Sequence, residues 1–457
     1  MNMKAVTRAF SLAASGILAT FRRTTLLWLV ASLWLMASLS LTACHRIDDK
    51  PPGRVLVVGI DGANLRMIDP LIKEGRLPHL ARLREQGVSG PLESIMPLES
   101  PRIWNSIATG KQPEKHGILS FAYAARQGVQ HLYLGSDRKV HALWNIVSDA
   151  GLSVSVINWW NTFPPEKING VMISDHLQNR EVGLRETLTN ATETPSARLT
   201  FPESWETRLM ALIEIDDPAV DFDDPFLGTQ QLVYGRERNQ RLSKYFAEDG
   251  EVLRFALEVE SAEHPDVMLV FFPGIDRVSH FLWGMIEEPM LYPDKMRPGP
   301  EIRSAGRKAF EAYYEYTDAM LGRLIERYAE DDLIIVLSDH GFEAGNDLGL
   351  LTGLHKTAKA IDGVLFARGA GLPAKMDAGE VGVLDITPTI LAWLGLPVGE
   401  DMDGRVAAFL GKFPRGKPIT RVATHDIDAV ERLEFSPSGA DEKILENLRA
   451  LGYIKDD

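Results

Sequence analysis

The stretch RVLVVGIDG, residues 54–62, decides the fold. Within it, the apolar residues 55–58 lie between an arginine and a glycine. Such a run predicts a strand that is buried on both faces, as in a parallel sheet. Asp61 follows at once, so its carboxylate is expected at the carboxyl end of the strand, where ligands gather in open α/β sheets.

Four further apolar runs follow along the chain, and helical patterns such as residues 305–330 and 385–394 separate them. We interpret all four as buried parallel strands. They are SVSVIN (153–158), DVMLVFF (266–272), LIIVLS (333–338) and GVLFA (363–367). The alternation predicts an α/β fold with a central, mostly parallel sheet sandwiched by helices.

Two polar excursions interrupt this pattern. Residues of about 180–250 include EIDDPAVDFDDPF and are predicted to form a cap insertion over the sheet. Residues 282–304 are rich in proline and methionine and indicate a second surface excursion. The catalytic domain is then predicted over 54–410, and residues 411–457 form a tail that packs on it through its final helical pattern.

The composition excludes several classes of protein. The chain has 457 residues, of which 45% are hydrophobic and 25% charged, as in globular proteins and unlike disordered, collagen-like or polytopic membrane proteins. The net charge is −14 and no basic stripe is present, so we expect no nucleic-acid partner. A single cysteine excludes an intrachain disulfide and a thiolate metal cluster.

The N-terminus predicts the compartment. Arg22 and Arg23 precede an uncharged segment, residues 24–44, which is the pattern of a signal peptide. The segment ends in LTAC, which resembles the lipobox of bacterial lipoproteins, with Cys44 as the lipidated first residue after a signal peptide of 1–43. An uncleaved transmembrane helix is the alternative. Both interpretations place residues 45–457 outside the cytoplasm on a membrane anchor, with 44–53 as a tether.

Metal-ligand residue types lie at or near the predicted strand ends. Each has an ordinary structural explanation by itself, for example as a turn residue. Together they supply enough ligands for two metal ions with open positions. The residues are Asp61, Asp276, His280, Asp339, His340 and His355.

The segment SPRIWNSIATG, residues 100–110, predicts a helix with Ser100 as its N-cap, Pro101 at the first helical position and Gly110 at its end. That interpretation explains the residues fully. The same geometry also suits catalysis, because a helix N-terminus attracts phosphate and stabilises an alkoxide. A serine hydroxyl still needs a base or a metal ion to become a nucleophile.

Taken in order, these motifs resemble the alkaline phosphatase superfamily, specifically its type I phosphodiesterase/nucleotide pyrophosphatase branch, over residues of about 54–410. The motifs are VVGIDG, SPRIWNSIATGKQPEKHGI, FPGIDRVSH, LSDHGF and DITPTILAWLGLPV, with His355 before Gly363. The resemblance implies a phosphohydrolase with two divalent ions, zinc in the first place and manganese as the alternative. It implies that Asp61, Asp339, His340 and the Ser100 oxygen hold one ion, that Asp276, His280 and His355 hold the other, and that Ser100 becomes phosphorylated.

The sequence departs from the branch around the nucleophile. Many members use threonine where Ser100 stands, Pro101 has no N–H to offer a phosphate, and Ile103 stands where nucleotide pyrophosphatases carry asparagine. We therefore expect compensating contacts to the substrate phosphate. The candidates are Arg102, Asn105 and Lys111, with Trp160 lining the substrate pocket or packing in the core.

The leading interpretation is a lipid-anchored phosphohydrolase acting on a phosphate ester, with a phosphodiester as the substrate class that the resemblance implies. Two alternatives stay open at this point. One is a phosphotransferase that moves the phospho-group to a lipid or glycan hydroxyl, and the other is an inactive lipoprotein that binds a partner.

Overall fold

A nine-stranded sheet forms the centre of the computed structural model. The structure describes residues 53–124, 130–176, 199–213, 219–227, 236–347, 351–411, 418–427, 444–445 and 448–449. The predicted signal peptide, Cys44 and nearly all of the tether lie outside the described residues. The described strands are β1 Val55–Ile60, β2 Val88–Glu93, β3 Ala122–Ala124, β4 Gln130–Leu132, β5 Val154–Ile157, β6 Gly170–Ile173, β7 Thr200–Phe201, β8 Val267–Phe272, β9 Leu333–Leu337, β10 Glu343–Asp347, β11 Leu351–Leu354, β12 Asp362–Arg368, β13 Met376–Asp377, β14 Val398–Gly399 and β15 Arg421–Val422.

Helices cover both faces of this sheet. The α-helices are α1 Leu65–Lys73, α2 Pro78–Gln86, α3 Ser100–Thr109, α4 Pro113–His116, α5 Leu143–Asp149, α6 Ser204–Ile213, α7 Arg236–Glu263, α8 Gly274–Leu282, α9 Pro300–Ile325 and α10 Ile386–Leu394. Short 3₁₀ turns are Gly135–Asp137, Trp283–Met285, Pro289–Leu291, Asp294–Met296, Ala358–Ala360, Val383–Asp385 and Ala408–Leu410. No helix in the described part of the chain combines the length and the apolar character needed to cross a membrane.

The strand order is β13-β2-β12-β9-β1-β8-β5-β6-β7. The five consecutive strands from β9 to β6 are mutually parallel, which confirms the mostly parallel sheet. One prediction of strand direction is wrong, because β12 pairs antiparallel to both β9 and β2. A strand that is buried on both faces has the same apolar pattern in either direction, so its composition cannot reveal which way it runs.

Alternate side chains of β1 enter two separate cores. Leu56 and Val58 pack in the core beneath α1, α2 and α6 to α9. Val55 and Val57 pack on the opposite face, beneath α3, α5 and α10. The two cores follow from the period-2 alternation of a strand, and they make the sheet the middle of three layers.

The predicted excursions lie at the edges of these layers. Within 180–250, residues 180–198 lie outside the described residues, β7 extends the sheet beside β6, and the start of α7 joins the helical layer. Residues 282–304 form the short 3₁₀ turns around an exposed Met290. In the predicted tail, Leu445 and Leu448 pack against Phe121 and neighbouring apolar residues.

Candidate active site

The candidate metal-ligand side chains, called ligands below, lie at or near the carboxyl ends of β9, β1 and β8, three neighbouring strands of the sheet. Asp61 follows β1, Asp339 and His340 follow β9, and α8 begins just after β8. The fold therefore brings together residues that are far apart in the sequence. All six ligand residues are at most 6% exposed: Asp61, Asp276, His280, Asp339, His340 and His355.

The first group of ligands surrounds the imidazole of His340. Its Nε2 atom lies 3.5 Å from Asp61 Oδ1 and 3.5 Å from Asp339 Oδ2. Asp61, His340 and Asp276 also offer ligand atoms within 4.8 Å of one another. Asp276 thus lies between this group and the next.

The second group of ligands centres on Asp276. Its Oδ1 atom lies 3.6 Å from Nε2 of His280 and 3.6 Å from Nε2 of His355. Asp276 and His280 come from successive turns of α8, whereas His355 follows β11. The spacing of four residues places the first two side chains on one face of the helix.

Backbone carbonyl groups fix the tautomer of all three histidines. Nδ1 of His280 donates to Gly353, Nδ1 of His340 donates to Gly341, and Nδ1 of His355 donates to Leu98, at 2.9–3.0 Å. A carbonyl oxygen can only accept, so Nδ1 carries the proton and the Nε2 lone pair points into the cluster. Metal-binding histidines are oriented in this way by the group behind them.

Burial and mutual repulsion raise the pKa of the carboxyl groups in the cluster. Burial, followed by the negative charges of Asp339 and Asp276, raises the pKa of Asp61 well above its ordinary value. Burial raises the pKa of Asp339 to about 7, with Asp276 adding to the rise. Carboxylates packed this closely need a cation to stay ionised together.

Burial lowers the pKa of the histidines. The values for His280 and His355 fall to about 4, and the pKa of His340 falls well below its ordinary value, with the neighbouring His355 contributing. All three imidazoles are therefore neutral at physiological pH, and neutral imidazole is the form that binds a metal ion.

The residues present fit a metal ion. Oδ2 of Asp339 and Nε2 of His340 are buried and lack a hydrogen-bond partner among the described residues. Leaving such atoms unsatisfied costs free energy, which a metal ion would remove by accepting their lone pairs. A mixed imidazole and carboxylate donor set suits zinc and also manganese.

Ser100 lies at the edge of the first group, at the first residue of α3. Its Oγ donates a hydrogen bond to Asp61 Oδ1 at 3.3 Å. The prediction that Ser100 is the N-cap is wrong: Glu99 holds the cap position in an extended conformation, and no side chain caps the helix. The position one residue inside the helix leaves the hydroxyl of Ser100 directed at Asp61.

Close packing places α3 against the sheet. A Cβ atom on Gly59 would lie 2.5 Å from the ring of Trp104, so only glycine lets this helix approach β1 so closely. Behind the helix, His116 accepts from Ile118 N–H through Nδ1 and contacts Ser106 Oγ at 3.0 Å. His116 thus contacts α3 in the second half of the helix.

Of the four predicted substrate contacts, Trp160 lies nearest the ligands. Its half-buried indole faces the carboxyl group of Asp61 and opposes part of the rise in its pKa. The ring also packs edge-on against Phe121 and Phe271. Trp160 thus both lines the site and belongs to the surrounding aromatic packing.

Arg102 lies in the first turn of α3, two residues after Ser100. Its guanidinium is half-buried, and burial lowers its pKa while Glu99 and Glu114 oppose that effect. A cation at the N-terminus of this helix is suited to a substrate phosphate.

Asn105 makes its contacts away from the ligand cluster. Its Nδ2 donates to Pro101 O at 2.8 Å and to Asn161 Oδ1 at 2.7 Å. The amide lies one turn deeper in α3 than Ser100 and ties the helix to the loop after β5. Asn161 belongs to the segment NWWNTFP, residues 158–164, which forms the start of that loop.

Lys111 is likewise engaged elsewhere. Its buried ammonium group lies 2.6 Å from Asp401 Oδ2 and 2.6 Å from Asp426 Oδ2. Two carboxylates already neutralise its charge. Lys111 therefore connects the end of α3 to the segments that carry Asp401 and Asp426, and it is not directed at a substrate. The sequence could not show this, because both partners lie about three hundred residues further along the chain.

Phe342 is a further residue of the site that sequence reasoning missed. Its ring packs against the imidazoles of His280, His340 and His355, with centroid distances of 5.1, 5.9 and 5.4 Å. It belongs to the motif LSDHGF, so the signal was a large apolar residue two positions after His340.

The profile of one protein family, described as type I phosphodiesterase / nucleotide pyrophosphatase, matches residues 55–387. That range spans β1 to α10 and includes every ligand of the cluster. The chain belongs to this family. The match covers the strand ends, helix α3 and the loops that carry the candidate ligands, so the chain is a metal-dependent hydrolase that acts on phosphoric ester bonds.

Several solved structures are similar to this chain at low identity. Human ectonucleotide pyrophosphatase/phosphodiesterase 5 is 12% identical over 77% of this chain and 97% of its own, with a TM-score of 0.45. The phosphonate monoester hydrolase of Silicibacter pomeroyi is 15% identical over 82% and 78%, with a TM-score of 0.43. Phosphonoacetate hydrolase of Sinorhizobium meliloti 1021 is 18% identical over 65% of this chain and 58% of its own, with a TM-score of 0.40. No curated protein matches the sequence significantly.

Proposed function

We propose that the protein is a two-zinc phosphodiesterase that forms a phospho-serine intermediate on Ser100 and acts outside the cytoplasm. The observation that carries this proposal is the 3.3 Å hydrogen bond from Ser100 Oγ to Asp61 at the N-terminus of α3. The Ser100 hydroxyl does not cap the helix and lies at the edge of the buried ligand cluster. This is the position expected of a nucleophile.

Asp61, Asp339 and His340 would hold one zinc ion beside Ser100, and Asp276, His280 and His355 would hold the second. When bound, such ions supply Lewis-acid chemistry that lowers the pKa of a nearby hydroxyl and neutralises charge on a phosphoryl group.

The residues of the chain account for positioning. Asp61 Oδ1 orients Ser100 Oγ, which loses its proton and forms the new bond to phosphorus while the bond to the leaving oxygen breaks in line with it. The leaving oxygen takes up one proton and departs as an alcohol. The N-terminus of α3 and the half-buried Arg102 stabilise the negative oxygens. Trp160 shields one side of the site from solvent. Water then cleaves the phospho-serine and restores the hydroxyl.

The compartment and the anchor are supported by the N-terminal sequence. A segment without charge follows Arg22 and Arg23 and ends at Cys44, the single cysteine of the chain. A lipid on this cysteine would hold the enzyme at a bacterial membrane, facing the periplasm or the cell surface.

Replacing Ser100 tests the nucleophile. We expect Ser100→Ala to lower turnover of a chromogenic phosphodiester by at least 10³-fold while leaving about two zinc ions per chain, because the hydroxyl is the attacking group and the other ligands remain. Turnover and metal content are measured on the same preparation, with a chromogenic monoester assayed in parallel.

Ser106→Ala is the matched control, since it removes a buried hydroxyl from the same helix, away from the ligands. It should keep turnover within a few-fold and lower stability by about 1 kcal/mol. Near wild-type turnover by Ser100→Ala would contradict the proposal. If added alcohol acceptors yield a transferred phospho-product in place of phosphate, the phosphotransferase alternative replaces the hydrolase.

Cys44→Ala tests the anchor. With an intact cysteine we expect metabolic labelling by a radioactive fatty acid and recovery in the membrane fraction, because the acyl chains insert into the bilayer. The variant should lose the label. An unlabelled wild-type protein that stays with the membrane would support the uncleaved helix instead.

A further inference from the structure

A buried contact links α7, α8 and α9 directly behind the second group of ligands. Asp249 of α7 is 1% exposed, and its Oδ2 accepts a hydrogen bond from the Tyr313 hydroxyl of α9 at 2.9 Å. The same carboxylate accepts the backbone N–H of Gly274, the first residue of α8. Three helices therefore meet at one carboxylate.

Helix α8 needs such a partner at its start. The first N–H groups of a helix have no acceptor within the helix. Pro273 holds the cap position of α8 and supplies no side-chain acceptor. Asp249 thus acts as the missing cap from a neighbouring helix, because its carboxyl oxygen accepts the N–H of Gly274.

The contact is tight enough to fix where α8 begins. A Cβ atom at Gly274 would lie 2.0 Å from the Tyr313 hydroxyl oxygen and 2.1 Å from Asp249 Oδ2. One turn further on, Arg277 donates to Glu248 of α7 at 2.8 Å. The two polar contacts hold the first turn of α8 against α7 in both position and rotation.

The two turns of α8 that follow this contact carry the ligands. Asp276 lies two residues after Gly274, and His280 lies one turn later. A shift at Gly274 would therefore displace both side chains relative to His355, which comes from a different segment. Metal ligands tolerate displacements of only a few tenths of an ångström.

Burying a carboxyl group between helices costs free energy. Its presence here indicates that the orientation of the helices depends on its hydrogen bonds. Oδ1 of Asp249 is buried and has no hydrogen-bond partner among the described residues. Apolar side chains of similar size would pack there without that cost, but they could not accept the N–H of Gly274.

We infer that Asp249 is a positioning residue that holds Asp276 and His280 in place for the second metal ion, with Tyr313 orienting its carboxylate. The inference rests on the proposed function only in requiring that these two residues bind a metal ion.

Asp318 offers a matched control within the same chain. It lies on α9, is 1% exposed, and accepts the backbone N–H groups of His79 and Leu80 at 3.0 and 2.8 Å. It therefore caps α2 from a neighbouring helix, just as Asp249 caps α8, but α2 carries no ligand of the cluster.

The test is zinc binding to the whole chain, measured by competition with a chromophoric chelator, together with thermal unfolding. We expect Asp249→Ala to bind one of its two zinc ions about 10–100-fold more weakly. Asp249→Asn keeps an acceptor for Gly274 N–H and should stay within about threefold of wild type. Asp318→Ala should lower the unfolding midpoint and leave zinc affinity unchanged.

The inference is overturned if Asp249→Ala keeps wild-type zinc affinity, or if Asp318→Ala weakens zinc binding to the same extent. Should Asp249→Ala fail to fold, Tyr313→Phe takes its place, because it removes the donor and keeps the carboxylate. An affinity loss of at least about threefold supports the inference, and an unchanged affinity overturns it. A wild-type chain that binds zinc but hydrolyses no diester contradicts the proposed function and leaves the inference standing.

Discussion

At the scale of single residues, the site combines acidic groups that resist ionisation with histidines that resist protonation. Burial acts on both in opposite directions, raising the pKa of Asp339 to about 7 and lowering that of His280 and His355 to about 4. Near neutral pH the metal-free cluster therefore carries its protons on carboxyl groups. The imidazoles are neutral and can bind a metal ion without first releasing a proton.

This distribution predicts the protons released when zinc binds. At pH 6 the carboxyl group of Asp339 is mostly protonated, so binding must expel its proton, whereas at pH 9 it is already ionised. We expect a proton release that is largest at pH 6 and falls as the pH rises through about 7, because the contribution of Asp339 is then lost. Calorimetry of zinc binding in buffers of different ionisation enthalpy measures it.

The histidines contribute little to this release above pH 5, because their depressed pKa values leave them neutral there. Release that stays constant between pH 6 and pH 9 would contradict the assignment of the protons to carboxyl groups.

At the scale of elements, helix α3 and strand β1 form one unit around the nucleophile. Gly59 allows Trp104 to lie against the strand, and Ser100 begins the same helix next to Asp61. The position of the hydroxyl thus depends on how closely the helix approaches the sheet.

Gly59→Ala should disturb this unit. The added methyl group would meet Trp104 at 2.5 Å, so we expect a loss of about 1–3 kcal/mol of stability by overpacking. Turnover should fall by about 10-fold or more, because the helix that carries Ser100 is displaced. Denaturant unfolding and steady-state kinetics measure the two effects.

Gly90→Ala is the corresponding control in β2 of the same sheet. Its added methyl group would lie 3.4 Å from Ala378 Cβ, an ordinary contact, so stability and turnover should both be close to wild type. Equal effects of the two substitutions would show that the approach of α3 does not matter.

Elements with a strong apolar pattern were predicted well from the sequence, and those with weak patterns were not. The runs that became β1, β5, β8 and β9 are buried throughout and parallel. Strand β2 has the sequence VSGPLE with mixed burial, which carries no strand pattern, and it was missed.

For the site, the residue types at strand ends were enough to identify the buried candidate ligands. Contacts between segments that are distant in the chain could not be predicted from the sequence. Asp249 is an unremarkable acidic residue in a charged helical stretch until α8 and α9 pack on it. Likewise, nothing around Lys111 indicates that it pairs with Asp401 and Asp426.

At the scale of the whole molecule, the ligands connect segments that span most of the domain. The cluster joins the ends of β1, β8 and β9 to the loop after β11, and α8 reaches it from the helical layer. A ligand that binds only the folded state stabilises that state according to its concentration relative to its dissociation constant.

Zinc should therefore raise the thermal unfolding midpoint in a concentration-dependent way, and a chelator should lower it. At 100 times the dissociation constant the gain is about 2.7 kcal/mol per site. Scanning calorimetry with graded zinc tests this. His280→Ala should show a clearly smaller rise, since it removes a ligand of the second group, while Ser100→Ala should keep most of it.

The register of the sheet also has a consequence for how the enzyme matures. Gly62 contacts Asp339 although 277 residues separate them, and β1 lies between two strands that are synthesised long after it. Pairing so remote along the chain is slow to form, because loop closure precedes any gain from contacts. A chain that ends before His355 lacks one residue of the proposed ligand set, so binding of both metal ions requires synthesis to pass β11. The metal content of pulse-chase samples should therefore reach its full value only late in biogenesis.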